Sequence, residues 1–209
     1  RRSSDLSMRI IEQARAPNPR RVRIFLAEKG ITVPTEQVDI RSGVNRQGEF
    51  LARNPMGGLP VLVLDDGMWL SESLVICEYF EDLHPEPVLI GRTPEERAVA
   101  RMWERRMELE VMLPMLGAFR NSSPFFQGRI TQVPEVVEPH RATARKRMQW
   151  VNEILGSQPW VAGDRFTFAD ITLFCTLDFA GVVGEAYDPA LHHVVAWHEK
   201  MKARPTAAA

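Results

Sequence analysis

Four places in the chain combine residue types and spacings that can do chemistry. Leu59-Pro60 lies between Gly57-Gly58 and the apolar run of residues 61–64. A trans bond is the default for X-Pro. A cis bond would turn the Leu59 backbone outward at the mouth of a strand, where it can exchange hydrogen bonds with an extended peptide as a sheet edge does. Glu72-Ser73 falls at a helix start. Acids favour that position for the helix dipole alone. The same free N–H groups, with the Ser73 hydroxyl, can also hold a carboxylate while Glu72 holds an ammonium group beside it. Together the pair would clamp an α-amino-acid head group. Asn18 suits an N-cap, a role that uses its oxygen and leaves its NH2 free as a donor. Asn45-Arg46 is a polar loop able to meet a second carboxylate.

These residues need elements to position them. Residues 9–13 read as a strand. A helix then begins at Asn18 as N-cap with Pro19 first, follows Val22, Phe25, Leu26 and Lys29, and stops at Gly30. Residues 33–40 read as a second strand, parallel to the first through a right-handed crossover. Residues 49–53 read as a short helix ended by Asn54-Pro55. Residues 61–64 suit a central strand buried on both faces, and Asp65-Asp66-Gly67 returns the chain into Met68-Trp69-Leu70. Ser71 is placed as cap of the next helix, with Ile76, Tyr79, Phe80 and Leu83 on its apolar face.

Past residue 84 the strand signals vanish. Residues 85–94 read as a linker. Thr93-Pro94-Glu95-Glu96 is a capping box. It opens a long helix through Met102, Leu109, Leu113 and Leu116 that Pro114 should kink. Residues 121–139 are irregular, and a helix follows over residues 140–155. Thr167-Phe168-Ala169-Asp170 is a further helix start, and Asp188-Pro189 opens a last helix through Val194, Val195, Trp197 and Met201. The expected organisation is a tail or expression remnant (residues 1–8), an α/β domain (9–84), the linker, and an all-helical domain (95–209).

Composition narrows the partners. Lys plus Arg total 26 and Asp plus Glu 27, a net charge of -1, so nothing favours nucleic acid or an anionic membrane. No apolar stretch approaches the ~18 residues of a membrane span. Cys77 and Cys175 lie in apolar runs without a CxxC pair, which reads as buried free thiols in a reducing, cytoplasmic compartment. His192, His193 and His198 lack the i, i+4 spacing of a helical metal site, so no metal is expected.

The run 17–30, then Asn54-Pro55-Met56-Gly57-Gly58-Leu59-Pro60-Val61-Leu62, then Ser71-Glu72-Ser73, resembles the cytosolic glutathione transferases. Phe166-Thr167-Phe168-Ala169-Asp170 resembles that family's capping motif, and Arg204-Pro205 its C-terminal signature. The resemblance covers residues 9–205. It implies a thioredoxin-like domain with a four-stranded mixed sheet, an all-α second domain, and a homodimer. It implies glutathione as co-substrate with a small electrophile, a cis Pro60, and Leu59 paired with the cysteinyl backbone. Glu72 and Ser73 would bind the γ-glutamyl end, and Asn45 or Arg46 would meet the glycyl carboxylate.

Where most members carry Tyr, Ser or Cys near the end of the first strand, this chain reads Arg15-Ala16-Pro17-Asn18. That resembles the atypical fungal and bacterial class lacking the usual residue. It also resembles bacterial members that act on glutathione disulfides, with Ala16 in place of their threonine. Lowering a thiol pKa by about two units requires ~2.7 kcal/mol. A helix N-terminus supplies up to ~2 kcal/mol, and a hydrogen bond to a charged group roughly 1.5–3 kcal/mol. Asn18 and the first-helix amides are therefore expected to hold the thiolate. Asn121, Ser122 and Ser123 are candidates for holding a water, and Met107, Met112, Met115, Phe119, Phe125 and Phe126 for an electrophile pocket.

Overall fold

The computed structural model describes residues 7–209; of the expected tail, residues 1–6 lie outside that range. The chain forms two compact units, one running through Pro87 and including Ala208–Ala209, the other Val88–Ala207.

The first unit runs β1 (Arg9–Glu12), α1 (Pro17–Glu28), β2 (Thr35–Gln37), α2 (Gly48–Arg53), β3 (Val61–Val63), β4 (Trp69–Ser71), α3 (Ser73–Leu83). Its mixed sheet has the order β2-β1-β3-β4. β1 pairs β2 in parallel and β3 antiparallel, and β3 pairs β4 antiparallel. The second strand is shorter than its β-branched sequence suggests, and all its residues are exposed at the sheet's edge. β3 is buried throughout, as its unbroken apolar run requires. On one face Ile11, Val61 and Val63 pack with Val38, Phe50, Leu59 and Trp69. Alternation sends Ile10 and Leu62 to the opposite face, and they are as fully buried as Val22, Phe25, Ile76 and Phe80 of α1 and α3.

Both helix starts differ from expectation. Asn18 is not the N-cap of α1; Ala16 is, in extended backbone (φ -80°, ψ 144°), and Pro17 is the first helical residue. The proline before Asn18 imposes this, because it disfavours helical geometry at the residue preceding it and is itself preset for a first turn. Nor does Ser71 cap α3: that position belongs to Glu72. The buried stripe of α3 is Ser73, Ile76, Cys77, Phe80 and Glu81, whereas Leu83 is half exposed. Glu81 is tolerated inside because Lys29 Nζ lies 2.6 Å from its carboxylate. The same ammonium donates to His84 O at 2.6 Å and Pro87 O at 2.8 Å, so each of its N–H bonds has an acceptor.

The second unit holds α4 (Pro94–Arg106), α5 (Leu113–Ser122), α6 (Val137–Ser157), α7 (Phe168–Val182) and α8 (His192–Lys202). A π-helical turn, Met107–Met112, joins α4 to α5. Pro114 has no N–H to return to the preceding turn, and the ladder widens there instead of breaking. The buried side is Ala100, Glu104, Met107, Val111, Met112, Met115 and Ala118, whereas Met102, Leu109 and Leu113 are exposed. α7 is buried nearly all round, as the central helix of a bundle must be. Thr167 and Asp170 form the expected capping box at its start. Asp170 Oδ2 accepts from Thr167 N–H, and Oδ1 from Val161 N–H and Trp197 Nε1–H, each at 3.0 Å. Burial pushes its carboxyl up to about 6 against the pull of those donors. α8 begins at His192, later than Asp188-Pro189 suggests: Asp188 Oδ1 accepts from Ala190 N–H and closes a turn first. Arg204 stacks on Phe166, 3.9 Å from the ring centroid. Cys77 and Cys175 are both buried free thiols.

Candidate functional site

Strand register brings the first-unit residues together. Val61 is the Cα partner of both Ile11 on β1 and Ser71 on β4. Pro60 thus precedes the start of β3 at the same sheet edge where β1 runs out towards Ala16 and β4 runs out into Glu72. Neighbouring strands lie ~4.7–4.9 Å apart, so the Leu59 backbone, the start of α1 and the start of α3 share one edge.

The Leu59-Pro60 peptide is cis. The main-chain N–H and C=O of Leu59 have no partner among the described residues. The loop leading to it is held by side-chain amides: Asn45 Nδ2 donates to Gly57 O at 2.8 Å and Asn54 Nδ2 to Gly58 O at 2.7 Å. Arg46 Nη1 donates to Met56 O at 3.1 Å. Gly57 has φ 61°, and a Cβ there would stand 2.5 Å from Asn45 O, so this loop needs glycine. Asn45 itself is buried, with its amide committed to the loop.

Glu72 is the one non-glycine residue with positive φ among the described residues (φ 73°, ψ 114°). Such backbone costs of order 1–3 kcal/mol and persists where surroundings enforce it. Its side chain is exposed and does not cap α3. The first-turn N–H groups of α3 therefore stay available, and with them a partial positive charge. Ser73 is buried, and its Oγ accepts a hydrogen bond from Arg21 Nη2. That donor fills a lone pair and leaves the hydroxyl proton free to point at an incoming acceptor.

The start of α1 is leaner. Ala16 offers no side-chain cap. Its own N–H is bonded to Gln13 O, and Arg20 N–H to Ala16 O. Pro17 and Pro19 have no N–H, so among the described residues Asn18 carries the one free main-chain donor of this turn. Its Oδ1 is buried without a partner, and rotation of the carboxamide would put Nδ2 in that place.

Arg21 is the residue that sequence reading missed. It was a signal in plain view: it falls at i+3 from Asn18 on the stripe that buries Val22 and Phe25, a position where a charge must have a task. The second-unit candidates have partners within their own unit. Met107, Met112 and Met115 are core. Phe119 meets Phe126 and Phe179 edge to face at 5.3 and 5.5 Å. Asn121 and Ser122 donate to carbonyls of their own helix, Gly117 O and Ala118 O, and Ser123 Oγ accepts from Phe125 N–H. No group of three potential ligands for a metal occurs among the described residues, and no helix there is long and apolar enough to cross a membrane.

Comparison with known proteins fits this geometry. Residues 16–83 match the family model for the glutathione S-transferase N-terminal domain, and residues 106–205 that for the C-terminal domain. Glutathione S-transferase 2 of Saccharomyces cerevisiae is 36% identical over 203 residues, covering 95% of this chain and 87% of the relative. The chain belongs to the glutathione S-transferase family. Glutathione S-transferase GstA of Escherichia coli O157:H7 is 31% identical, covering 87% of each protein. The crystal structure of Gtt2 from Saccharomyces cerevisiae superposes with a TM-score of 0.91 at 35% identity, over 96% of this chain and 98% of that one. The first unit of this transferase is thus a thioredoxin-like domain and its second the family's helical domain. Glutathione is the family's co-substrate.

Proposed function

We propose that this transferase binds glutathione along the shared edge of its first sheet and conjugates the thiolate to small electrophiles. The observation carrying the reading is the convergence there of two helix starts without side-chain caps and the unpaired main chain of Leu59. Leu59 pairs with the cysteinyl backbone of glutathione. The γ-glutamyl carboxylate meets the Ser73 hydroxyl and the first N–H groups of α3, and its ammonium meets Glu72. Asn45 acts through the loop that it holds, and the exposed Arg46 meets the glycyl carboxylate. The sulfur lies against Asn18, whose N–H and carboxamide replace the missing hydroxyl.

A second reading draws support from Ala16: with one free main-chain donor at this turn, the site serves glutathione-dependent disulfide reduction, or binding without turnover. Retention on immobilised glutathione, conjugation of a chlorodinitrobenzene and reduction of a small disulfide separate these readings. Retention with conjugation supports the transferase. Retention with disulfide reduction alone supports the reductase, and retention with neither activity a binding protein. No retention overturns all of them.

The chain is further proposed to act as a homodimer in the cytoplasm. Val99, Met102, Leu109 and Leu113 recur at helical spacing on the exposed side of α4 and the turns after it, a stripe that a second copy would cover. The buried free thiols suit a reducing compartment.

A further inference from the structure

The β1–α1 turn carries no hydroxyl or thiol, so what it offers a ligand depends on where its backbone stands. One buried cluster sets that position. Glu12, the last residue of β1, is almost fully buried. Its Oε2 accepts from Arg23 Nη1 at 2.8 Å and its Oε1 from Gln37 Nε2 at 2.7 Å. Both partners reach on to the turn. Arg23 Nη2 donates to Ala14 O at 2.8 Å, and Gln37 Oε1 accepts from Ala14 N–H at 3.0 Å. Ala14, an exposed residue, is thus gripped at both main-chain polar groups, from α1 on one side and β2 on the other. Gln13 closes the rest of the turn: its Oε1 accepts from Arg15 N–H and its main-chain O from Ala16 N–H, each at 3.0 Å.

A buried carboxylate is costly unless paired and hydrogen-bonded. Here both oxygens are engaged, and by the two side chains that also hold Ala14. The sheet does not require this arrangement, since Val38 N–H already ties β2 to Glu12 O at 2.8 Å. We propose that Glu12, Arg23 and Gln37 form a positioning network that fixes residues 14–16, and through them the Asn18 N–H, against the sulfur of glutathione. The proposal rests on the transferase reading. None of the three touches the peptide; they act through the turn. A shift of about 1 Å in a reacting group can cost on the order of 100-fold in rate.

Gln37→Leu is the decisive variant, because Gln37 is exposed on an edge strand and its replacement removes no apolar side chain from the core. Glu12→Gln is the second. The readouts are affinity for S-methylglutathione, the thiol pKa of bound glutathione from thiolate absorbance near 240 nm, and kcat. In Gln37→Leu, S-methylglutathione binding stays within about twofold of the parent, the bound thiol pKa rises by about one unit, and kcat at neutral pH falls about tenfold. Glu12→Gln moves the same quantities in the same direction. If Glu12→Gln does not fold, Gln37→Leu decides alone. An unchanged thiol pKa, or a loss of S-methylglutathione affinity in step with kcat, overturns the network's role. Failure of the parent chain to bind glutathione overturns the transferase reading and this proposal with it, and is seen before any variant is made.

Discussion

Replacing Ser73 by alanine tests the amino-acid clamp. The Ser73 hydroxyl is buried, accepts from Arg21 and has its proton free. A hydrogen bond from it to the γ-glutamyl carboxylate is charge-assisted and contributes roughly 1.5–3 kcal/mol. Its loss should weaken glutathione binding about 10- to 150-fold. The main-chain N–H groups of α3 remain, which places the expectation at the lower end. The substitution also removes an acceptor from the Arg21 guanidinium, at a cost of ~1–3 kcal/mol to the fold. For a chain of this size that is a loss of about 2–4 °C in Tm per kcal/mol. Calorimetric titration of parent and Ser73→Ala with glutathione, and with an analogue lacking the γ-glutamyl α-carboxylate, separates the two effects. The variant should discriminate against glutathione while the decarboxylated analogue binds both proteins alike. Equal losses for the two ligands, or a glutathione loss under about threefold, would refute the assignment of the carboxylate to Ser73.

Lys29→Met should destabilise the protein by ~3–5 kcal/mol in chemical denaturation, because it leaves Glu81 buried opposite an apolar group; Lys29→Met with Glu81→Leu should recover much of that loss. Asp170 predicts an unusual pH dependence. Its carboxyl, near 6 in the fold against 3.8 as a free side chain, binds its proton more tightly when folded. Between about pH 4 and 6 this group therefore lowers stability as pH rises, by up to ~3 kcal/mol, with no further change above. The stability of the parent relative to Asp170→Asn should accordingly grow as pH falls from 6.5 to 4.5, and a difference that stays flat or shrinks would contradict the carboxyl's raised pKa. Asn18→Ala should raise the thiol pKa of bound glutathione and slow conjugation, with Kd for S-methylglutathione little changed; identical pKa and rate would remove Asn18 from the sulfur site.

Local sequence alone sufficed for several features, and for a shared reason. The unbroken apolar run at β3, the Asp65-Asp66-Gly67 reversal, the stop at Gly30 and the Thr167–Asp170 capping box are each decided by residues within a few positions of one another. The family motifs were legible in the same way, since each is a contiguous run. What sequence assigned wrongly turned on competition between neighbours. Asn18 is an excellent cap, but Pro17 comes first and claims the helix start. On the long helix, Met102, Leu109 and Leu113 share helical spacing with a parallel stripe through Ala100, Met107 and Val111, a choice that spacing left open and that falls to the second stripe. Periodicity cannot choose between two stripes of one helix; what packs against them does.

Tertiary structure alone decided the charges. Arg21, Arg23, Lys29 and Glu12 stand in sequence as ordinary polar residues of a first strand and helix. Their partners lie 52, 11, 55 and 25 positions away, at Ser73, Glu12, His84 and Gln37. A buried charge has meaning only with its partner, and no local signal names a partner that distant. The sequence by itself therefore picked out the candidate edge, through Leu59, Pro60, Glu72 and Ser73, whose place at one end of the sheet the strand register bears out. Folding alone revealed that Asn18 contributes a single main-chain donor at that edge, and that a buried carboxylate at Glu12 holds the turn before it. Both depend on which hydrogen bonds are already spent, and that is settled only when the strands and helices meet.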